Sequence, residues 1–200
     1  MRVLISGFEA FDGRSINPTQ KLIEAIQSQE VDHPEEIELK GILLPVRFLD
    51  SYDILKKQVD HFNPDVILSF GLAAGRASIE LEEVAMNLIN STTPDNGGVI
   101  IENAPITING AASYASTLPL QGIEGKLKEH GLPAKISNSA GTFVCNYLFY
   151  KMMEDNQTTQ RLCGFIHVPL LTEQVEHNSP SIEFHELKKG VTVILNYITY

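Results

Sequence analysis

The sequence predicts an α/β fold, a single three-layer α/β/α domain with a mostly parallel, twisted central sheet. Short apolar runs that fit buried strands alternate with amphipathic stretches of helical length. Such alternation is typical of strand-helix-strand units, which build parallel sheets covered on both faces. The chain has 200 residues, 43% hydrophobic and 20% charged, as in ordinary globular proteins. Since no repeat or low-complexity linker divides it, residues 1–200 are expected to form one domain.

The first half of the chain alternates strands and helices regularly. Strands are predicted where apolar runs end at Gly or Pro, and helices where apolar residues recur at three- and four-residue steps. The predicted elements are a strand at 2–7, a helix that begins at Pro18, a strand at 37–46, a helix from Leu49 to Phe62 that stops at Asn63-Pro64, and a central strand at 65–71.

The second half begins with a less regular stretch. Residues 79–89 fit a helix or a strand equally well on pattern alone. Residues 91–117 are rich in Ser, Thr, Asn, Gly and Pro, so loops with short strands such as 104–108 are expected. The later predicted elements are a helix at 120–130, a strand near 134–138, a helix from just after Gly141 to about Glu154, a buried strand at 162–168, and a helical tail from Pro180 onward.

The charge balance excludes several kinds of partner. Fifteen Lys and Arg stand against 25 Asp and Glu, which gives a net charge of −10, and the basic residues do not cluster. Nucleic acid and membranes are therefore not expected partners. No apolar run approaches the ~20 residues of a membrane-spanning helix, and no signal-peptide core is present. The two cysteines, too few for a disulfide framework or a four-cysteine zinc site, favour a cytoplasmic protein.

Three segments carry residues suited to nucleophilic catalysis, near the predicted carboxyl ends of strands where α/β proteins bind ligands. Cys145 lies at a strand-to-helix turn, where the helix dipole favours a thiolate and free N–H groups favour an oxyanion. His167 ends the strand 162–168, and Glu82 and Glu83 lie in the third segment. A thiol, an imidazole and a carboxylate together form an acyl-transfer triad.

Ordinary structural roles also explain the same residues, so composition and spacing alone only suggest a triad. A lone cysteine in an apolar helix is usually a core residue, and His167 among apolar neighbours suits a hydrogen-bonded interior histidine. The glutamates suit a solvated acidic run, and Cys163 suits packing in a buried strand. The five remaining histidines are predicted to be surface residues: His33, His61, His130, His177 and His185.

Seven segments in chain order match the motifs of one known family. They are Gly7–Phe11, Asn17-Pro18, Leu44–Val46, Gly71–Asn87, Pro94–Asn96, Ser137–Asn146 (SNSAGTFVCN) and Gly164–Pro169 (GFIHVP). Together they resemble the pyroglutamyl peptidase I family, also called pyrrolidone-carboxylate peptidases, whose members remove N-terminal pyroglutamate from peptides. The resemblance extends over the whole chain and implies a cysteine exopeptidase.

The resemblance also implies roles for individual residues. Cys145 would be the nucleophile, His167 the general base and acid, and Glu82 the carboxylate that orients the histidine, whereas Glu83 stands where the family commonly has Arg. No metal or organic cofactor is implied, and the expected partners are peptides with a blocked N-terminus. Assembly as a homo-oligomer, commonly a tetramer, is implied as well. The implied substrate-binding residues are Phe8, Phe11, Asn17, Phe143 and Val144.

Two departures from the family pattern concern substrate recognition. Leu72 stands where the family usually has Gln, and Thr92 stands where it usually has Arg. A hydrogen-bonding side chain and a charge are thereby lost near the implied site. Two alternatives therefore stay open beside pyroglutamate removal: a cysteine amidohydrolase of this fold with a different N-acyl specificity, and a binding module that has lost useful turnover.

Overall fold

The computed structural model describes residues 1–159, 161–175 and 179–199. The strands are β1 (Arg2–Phe8), β2 (Glu38–Leu44), β3 (Val66–Leu72), β4 (Ile79–Glu82), β5 (Val84–Met86), β6 (Ser113–Ala115), β7 (Ala134–Ser137), β8 (Leu162–Val168), β9 (Leu170–Leu171) and β10 (Ser181–Ile182). The helices are α1 (Pro18–Gln27), α2 (Phe48–Phe62), α3 (Leu120–Glu129), α4 (Val144–Asn156) and α5 (Phe184–Thr199), with a short 3-10 helix at Thr172–Gln174.

Six strands form the central sheet, in the order β2-β1-β3-β8-β4-β7. Four of its five neighbouring pairs are parallel, and the pair β4-β8 is antiparallel. Helices cover both faces, so the predicted α/β/α architecture with a mostly parallel sheet is confirmed. Two small two-stranded sheets, β5-β6 and β9-β10, lie outside it.

The antiparallel pair results from a short connection. Residues 73–78 lead from β3 across the end of β8 to β4, and the Ala73 N–H donates to the Val168 carbonyl over 2.9 Å. A parallel return would need a crossover of about a dozen residues or more. The chain therefore reverses, and β4 places Glu80 opposite His167.

The two faces of the sheet contact different helices. Helices α1, α3 and α5 pack on one face, which we call the apolar face, and α2 and α4 pack on the other, which we call the α4 face. Because side chains alternate along a strand, Ile166 and Val168 of β8 lie on the apolar face. Cys163, Phe165 and His167 therefore face α4.

The irregular segment 79–117 consists of short strands and loops. The ambiguous stretch 79–89 contains β4 and β5, and β5 pairs with β6 in an antiparallel sheet. The predicted short strand at 104–108 is wrong, since this stretch has a single bridge between Ala104 and Ile89. The physical reason is that the Asn87 side chain takes the place of a neighbouring strand, bonding both the N–H and the carbonyl of Thr107 over 2.9 Å each.

The other helices and strands lie close to their predicted positions. Helix α2 ends at Phe62, and its C-cap Asn63 has a φ of 48°, in the left-handed region, as the Asn-Pro stop signal indicated. Helix α5 begins at Phe184 rather than near Pro180, because Ser181 and Ile182 pair with β9. Within the described residues, no helix combines the length and apolar character needed to cross a membrane.

Candidate active site

Cys145 is the second residue of α4. Phe143 caps this helix in an extended conformation, and Gly141 turns the chain before it with a φ of 77°. The thiol lies against Gly71 of β3, since a Cβ at Gly71 would be only 3.0 Å from Sγ of Cys145. Gly71 is the register partner of His167 on the adjacent strand. The absence of a side chain at Gly71 thus makes room for the thiol beside the strand pair that carries the histidine.

His167 and Glu82 form a buried hydrogen bond on the α4 face. The Nδ1 atom of His167 lies 2.7 Å from Oε1 of Glu82, and the two residues are 4% and 0% exposed. A carboxylate accepts, so Nδ1 carries the proton and Nε2 remains a proton acceptor. The hydrogen bonds of the described residues include none between His167 and Cys145, a contact that in many enzymes closes only with substrate bound.

Three residues that the sequence pattern did not indicate, Arg76, Glu80 and Lys135, form a charged cluster with Glu82. Arg76, in the loop that crosses β8, contacts the carboxylates of Glu80 and Glu82, the latter over 2.8 Å. Lys135 of β7 lies 2.9 Å from the other oxygen of Glu80. The two-residue spacing of Glu80 and Glu82 places both on one face of a strand. The sequence could not indicate this shared face, because 79–89 fits a helix or a strand equally well.

The pKa values of the site follow from burial and from these charges. Burial alone would raise the pKa of Glu82, but the hydrogen bond and charge of His167, together with Ser137 and Arg76, lower it below its usual value. Burial raises the pKa of the Cys145 thiol to about 12, and the Glu82 charge adds to this effect while Arg76 opposes it. Burial therefore favours the neutral thiol over the thiolate predicted from the position of Cys145 at the helix N-terminus, so a base is needed to ionise it.

A pocket of about 170 Å³ opens beside the thiol. Phe11 and Phe143 pack with their ring centroids 5.1 Å apart in its wall. Leu72 is one of its apolar lining residues, and the charged residues Asp12 and Arg14 also line it. All five residues predicted to bind substrate line this pocket together with Cys145: Phe8, Phe11, Asn17, Phe143 and Val144.

Asn17 has a structural role, which its hydrogen bonds explain. Its side-chain oxygen accepts from the Thr19 N–H over 3.0 Å and so caps α1. Its amide nitrogen donates to the Glu9 carbonyl over 2.9 Å. The same loop is held from the other side by Asn96, which donates to the Glu9 carboxylate and to the Ala10 carbonyl. The Asn-Pro and Pro-Asp-Asn motifs thereby fix the loop that follows Phe8 and carries Phe11.

The remaining sequence candidates lie away from this site. Cys163 is 2% exposed and packs in the core on the α4 face, as predicted. A larger groove of about 1050 Å³ between α3 and α5 contains none of the candidate site residues. Among the described residues no three His, Cys, Asp or Glu side chains are grouped to hold a metal ion. Four of the remaining histidines are exposed and His177 lies outside the described residues; the four are His33, His61, His130 and His185.

Comparison with known proteins gives a consistent result. A family model described as pyroglutamyl peptidase matches residues 1–199. The pyrrolidone-carboxylate peptidase of Pyrococcus furiosus is 40% identical over 177 residues, which are 88% of this chain and 84% of the relative. That of Halalkalibacterium halodurans is 37% identical over 198 residues, 96% of each chain. The solved structure of pyroglutamyl peptidase I from Bacillus amyloliquefaciens superposes with a TM-score of 0.92 at 32% identity, covering 100% of this chain and 97% of the other.

A cysteine at a helix N-terminus beside a buried His-Glu pair, in a three-layer α/β fold, is the arrangement expected of a cysteine hydrolase. Within that class the comparisons are specific. The chain belongs to the pyroglutamyl peptidase family of cysteine peptidases, which confirms the resemblance carried by its motifs. It is therefore an enzyme, a hydrolase.

Proposed function

We propose that the protein removes N-terminal pyroglutamate from peptides, with Cys145 as nucleophile, His167 as general base and acid, and Glu82 as the orienting carboxylate. One observation carries the proposal. His167, which bonds Glu82 over 2.7 Å, is the neighbour of Gly71 on the adjacent strand, and the thiol of Cys145 packs against Gly71. Family membership and this arrangement support the same assignment.

The first half of the reaction forms a thioester. Nε2 of His167 takes the proton of the Cys145 thiol while sulfur attacks the carbonyl carbon of the pyroglutamyl residue. Since burial raises the pKa of this thiol to about 12, His167 is needed as its base, and the mechanism requires no resting thiolate. The imidazolium, held by Glu82, then gives its proton to the leaving amine as the peptide bond breaks.

Hydrolysis of the thioester completes the cycle. Water gives a proton to Nε2 of His167 and attacks the acyl carbon, the carbon-sulfur bond breaks, and the proton returns to Cys145. The oxyanion of each step lies next to the N-terminus of α4. The first N–H groups of a helix have no partner within it, so those near Cys145 are suited to bind this oxyanion.

The pocket fits an uncharged lactam ring. Its volume of about 170 Å³ and its aromatic walls suit a small, mostly apolar group. An ordinary N-terminal residue would bring an ammonium group into these walls and lose its hydration. Cleavage would thus depend on the absence of an N-terminal charge.

A different N-acyl specificity is the second candidate, and Leu72 favours it. Leu72 lines the pocket and has no group to hydrogen-bond a lactam. A less polar ring or acyl group would bind there without leaving a polar atom unpaired. The triad and the chemistry would be the same.

Three broader expectations belong to this proposal. Residues 1–200 act as one catalytic domain, the enzyme operates in the reducing cytoplasm, and it assembles as a homo-oligomer. The proposed mechanism supports the second, because it needs a reduced Cys145 thiol. The other two remain predictions from the chain's organisation and from family resemblance.

A fluorogenic pyroglutamyl amide tests the proposal directly. The purified, reduced protein should release the fluorophore, and Cys145→Ala should lower kcat by about 10³-fold or more. Cys163→Ala is the matched control, because it removes the other thiol from the same layer; kcat should stay within about threefold.

A small panel of N-terminal groups separates the candidates. The prolyl amide has the same ring size but carries an ammonium, and it should be cleaved about 100-fold less efficiently than the pyroglutamyl amide. Cysteine-dependent cleavage of another N-acyl amide in preference to the pyroglutamyl amide would favour the second candidate. Binding without turnover of any amide would indicate a binding module, and either result would contradict the proposal.

A further inference from the structure

Arg76 connects the three parts of the candidate active site. Its Nη1 atom contacts Glu80 and donates to Oε1 of Glu82 over 2.8 Å, the same oxygen that accepts from His167. Its Nη2 atom donates to the Ser139 carbonyl over 3.2 Å. Ser139 lies in the turn that leads into the helix of Cys145. One guanidinium therefore holds both the carboxylate and the turn.

Glu80 shares this guanidinium. Its side chain is 3% exposed, and its two oxygens contact Arg76 and Lys135. With a neutral imidazole and a neutral thiol, the two carboxylates and two cations sum to zero charge. Loss of the Arg76 cation would leave one uncompensated negative charge next to the thiol, whereas loss of the Glu80 anion would leave one positive charge.

We propose that Arg76 is a positioning residue for catalysis, and that Glu80 limits how much of its positive charge acts on Glu82 and Cys145. The inference rests on the proposed function, because it assumes the triad of Cys145, His167 and Glu82. The guanidinium of Arg76 bonds Glu80, Glu82 and the Ser139 carbonyl, and Arg76 does not line the pocket beside the thiol. It acts through the Glu82 oxygen that orients the imidazole and through the carbonyl that fixes the turn.

A purely structural role does not account for the arrangement. Two buried carboxylates on one strand face carry a desolvation cost that apolar side chains of similar size would avoid. At 27% side-chain exposure Arg76 is partly shielded from water, so its charge is less screened than on the surface. It opposes the effect of Glu82 on the Cys145 thiol. In metal sites, removing a group that orients a ligating histidine commonly costs about 10- to 100-fold in activity, and we take that range for Arg76, which acts on His167 through Glu82.

The test compares Arg76→Met, Arg76→Lys and Glu80→Gln with the parent enzyme. Arg76→Met should lower kcat for the pyroglutamyl amide by about 10- to 100-fold with KM within about threefold, and Arg76→Lys should recover part of that loss. Arg161→Met is the matched control, because its guanidinium bonds Asn63, outside the described site. It should leave kcat unchanged.

A second readout does not depend on peptidase activity. Alkylation of Cys145 by iodoacetamide at pH 7, followed by peptide mass spectrometry to separate it from Cys163, reports the reactivity of the thiol. Arg76→Met should slow this alkylation by about 3- to 30-fold, and Glu80→Gln should speed it by about 2- to 5-fold. Thermal melting identifies any variant that has lost its fold.

The opposite signs decide the inference. Folded Arg76→Met protein with unchanged kcat and unchanged alkylation would overturn it, and so would equal slowing of alkylation by both charge variants, which indicates general loosening of the site. If the parent enzyme cleaves no pyroglutamyl amide, the proposed function fails. The alkylation rates then still establish or reject the influence of Arg76 and Glu80 on the thiol.

Discussion

The two faces of the central sheet are equally buried but differ in chemistry. On the apolar face, the buried strand residues of β4 and β8 are hydrophobic, as Leu81 and Ile166 illustrate. On the α4 face, the same two strands carry Glu80, Glu82 and His167, all at most 4% exposed. Burial of ionisable groups is costly unless they are paired. On these two strands the α4 face thus carries the candidate reactive groups, whereas the apolar face carries only hydrophobic packing.

The largest expected effects come from adjacent residues that point to opposite faces. Leu81 and Glu82 are both fully buried neighbours on β4. Glu82→Gln should lower kcat by about 10²- to 10⁴-fold, because an amide that donates to Nδ1 favours the tautomer whose Nε2 is protonated and cannot act as a base. Leu81→Ala should leave kcat within about fivefold while it destabilises the protein by about 2–5 kcal/mol.

Steady-state kinetics and urea unfolding on both variants measure this difference. The parent protein provides the reference in each experiment. If Leu81→Ala, still folded, lost as much activity as Glu82→Gln, the two faces would not be separable in function. The proposed division of the sheet would then be wrong.

The architecture could be predicted largely from sequence, because each strand and helix of the regular region is specified by local apolar spacing. The reversal of β4 could not, since it depends on the short connection 73–78 crossing the end of β8. That reversal places Glu80, not Glu82, level with His167 in the sheet. Glu82 reaches Nδ1 diagonally, and only family resemblance had distinguished it from Glu83.

The candidate site was partly predictable for a related reason. Cys145 lies just after a glycine-containing turn and His167 near the end of a strand, as predicted from the sequence. The contributions of Arg76 and Glu80 depend on a contact between the loop 73–78 and one face of β4, which local spacing does not reveal. Site residues near the end of a recognisable helix or strand can therefore be predicted from sequence. Residues brought together by an unexpected chain reversal cannot.

Acid should weaken the α4 face specifically. The folded-state pKa of Glu82 is lowered, so its ionisation stabilises the fold above its usual pKa of 4.5, and this contribution is lost as the pH falls through the lower folded value. The free energy of unfolding should therefore fall more steeply below about pH 5 in the parent than in Glu82→Gln. Urea midpoints at several pH values measure how steeply the stability of each protein falls with pH. The same dependence in both proteins would refute the proposed stabilisation by ionised Glu82.

The smallest expected effect concerns a polar pair on the α4 face that has no part in the proposed reaction. Ser6 and Ser69 are register partners on β1 and β3, and their hydroxyl groups bond over 2.9 Å in the core. Ser69→Ala should destabilise the protein by about 1–3 kcal/mol, because it leaves the Ser6 hydroxyl unpaired.

The double variant Ser6→Ala with Ser69→Ala should cost less than the sum of the two single variants, because it removes both polar groups together. All three variants should keep kcat within about twofold, since neither serine contacts the His-Glu pair or the thiol. Urea unfolding and the pyroglutamyl amide assay supply both numbers. A large loss of kcat in the folded double variant would extend the reactive part of the α4 face to β1, because polar groups there would then serve the reaction as well as the core.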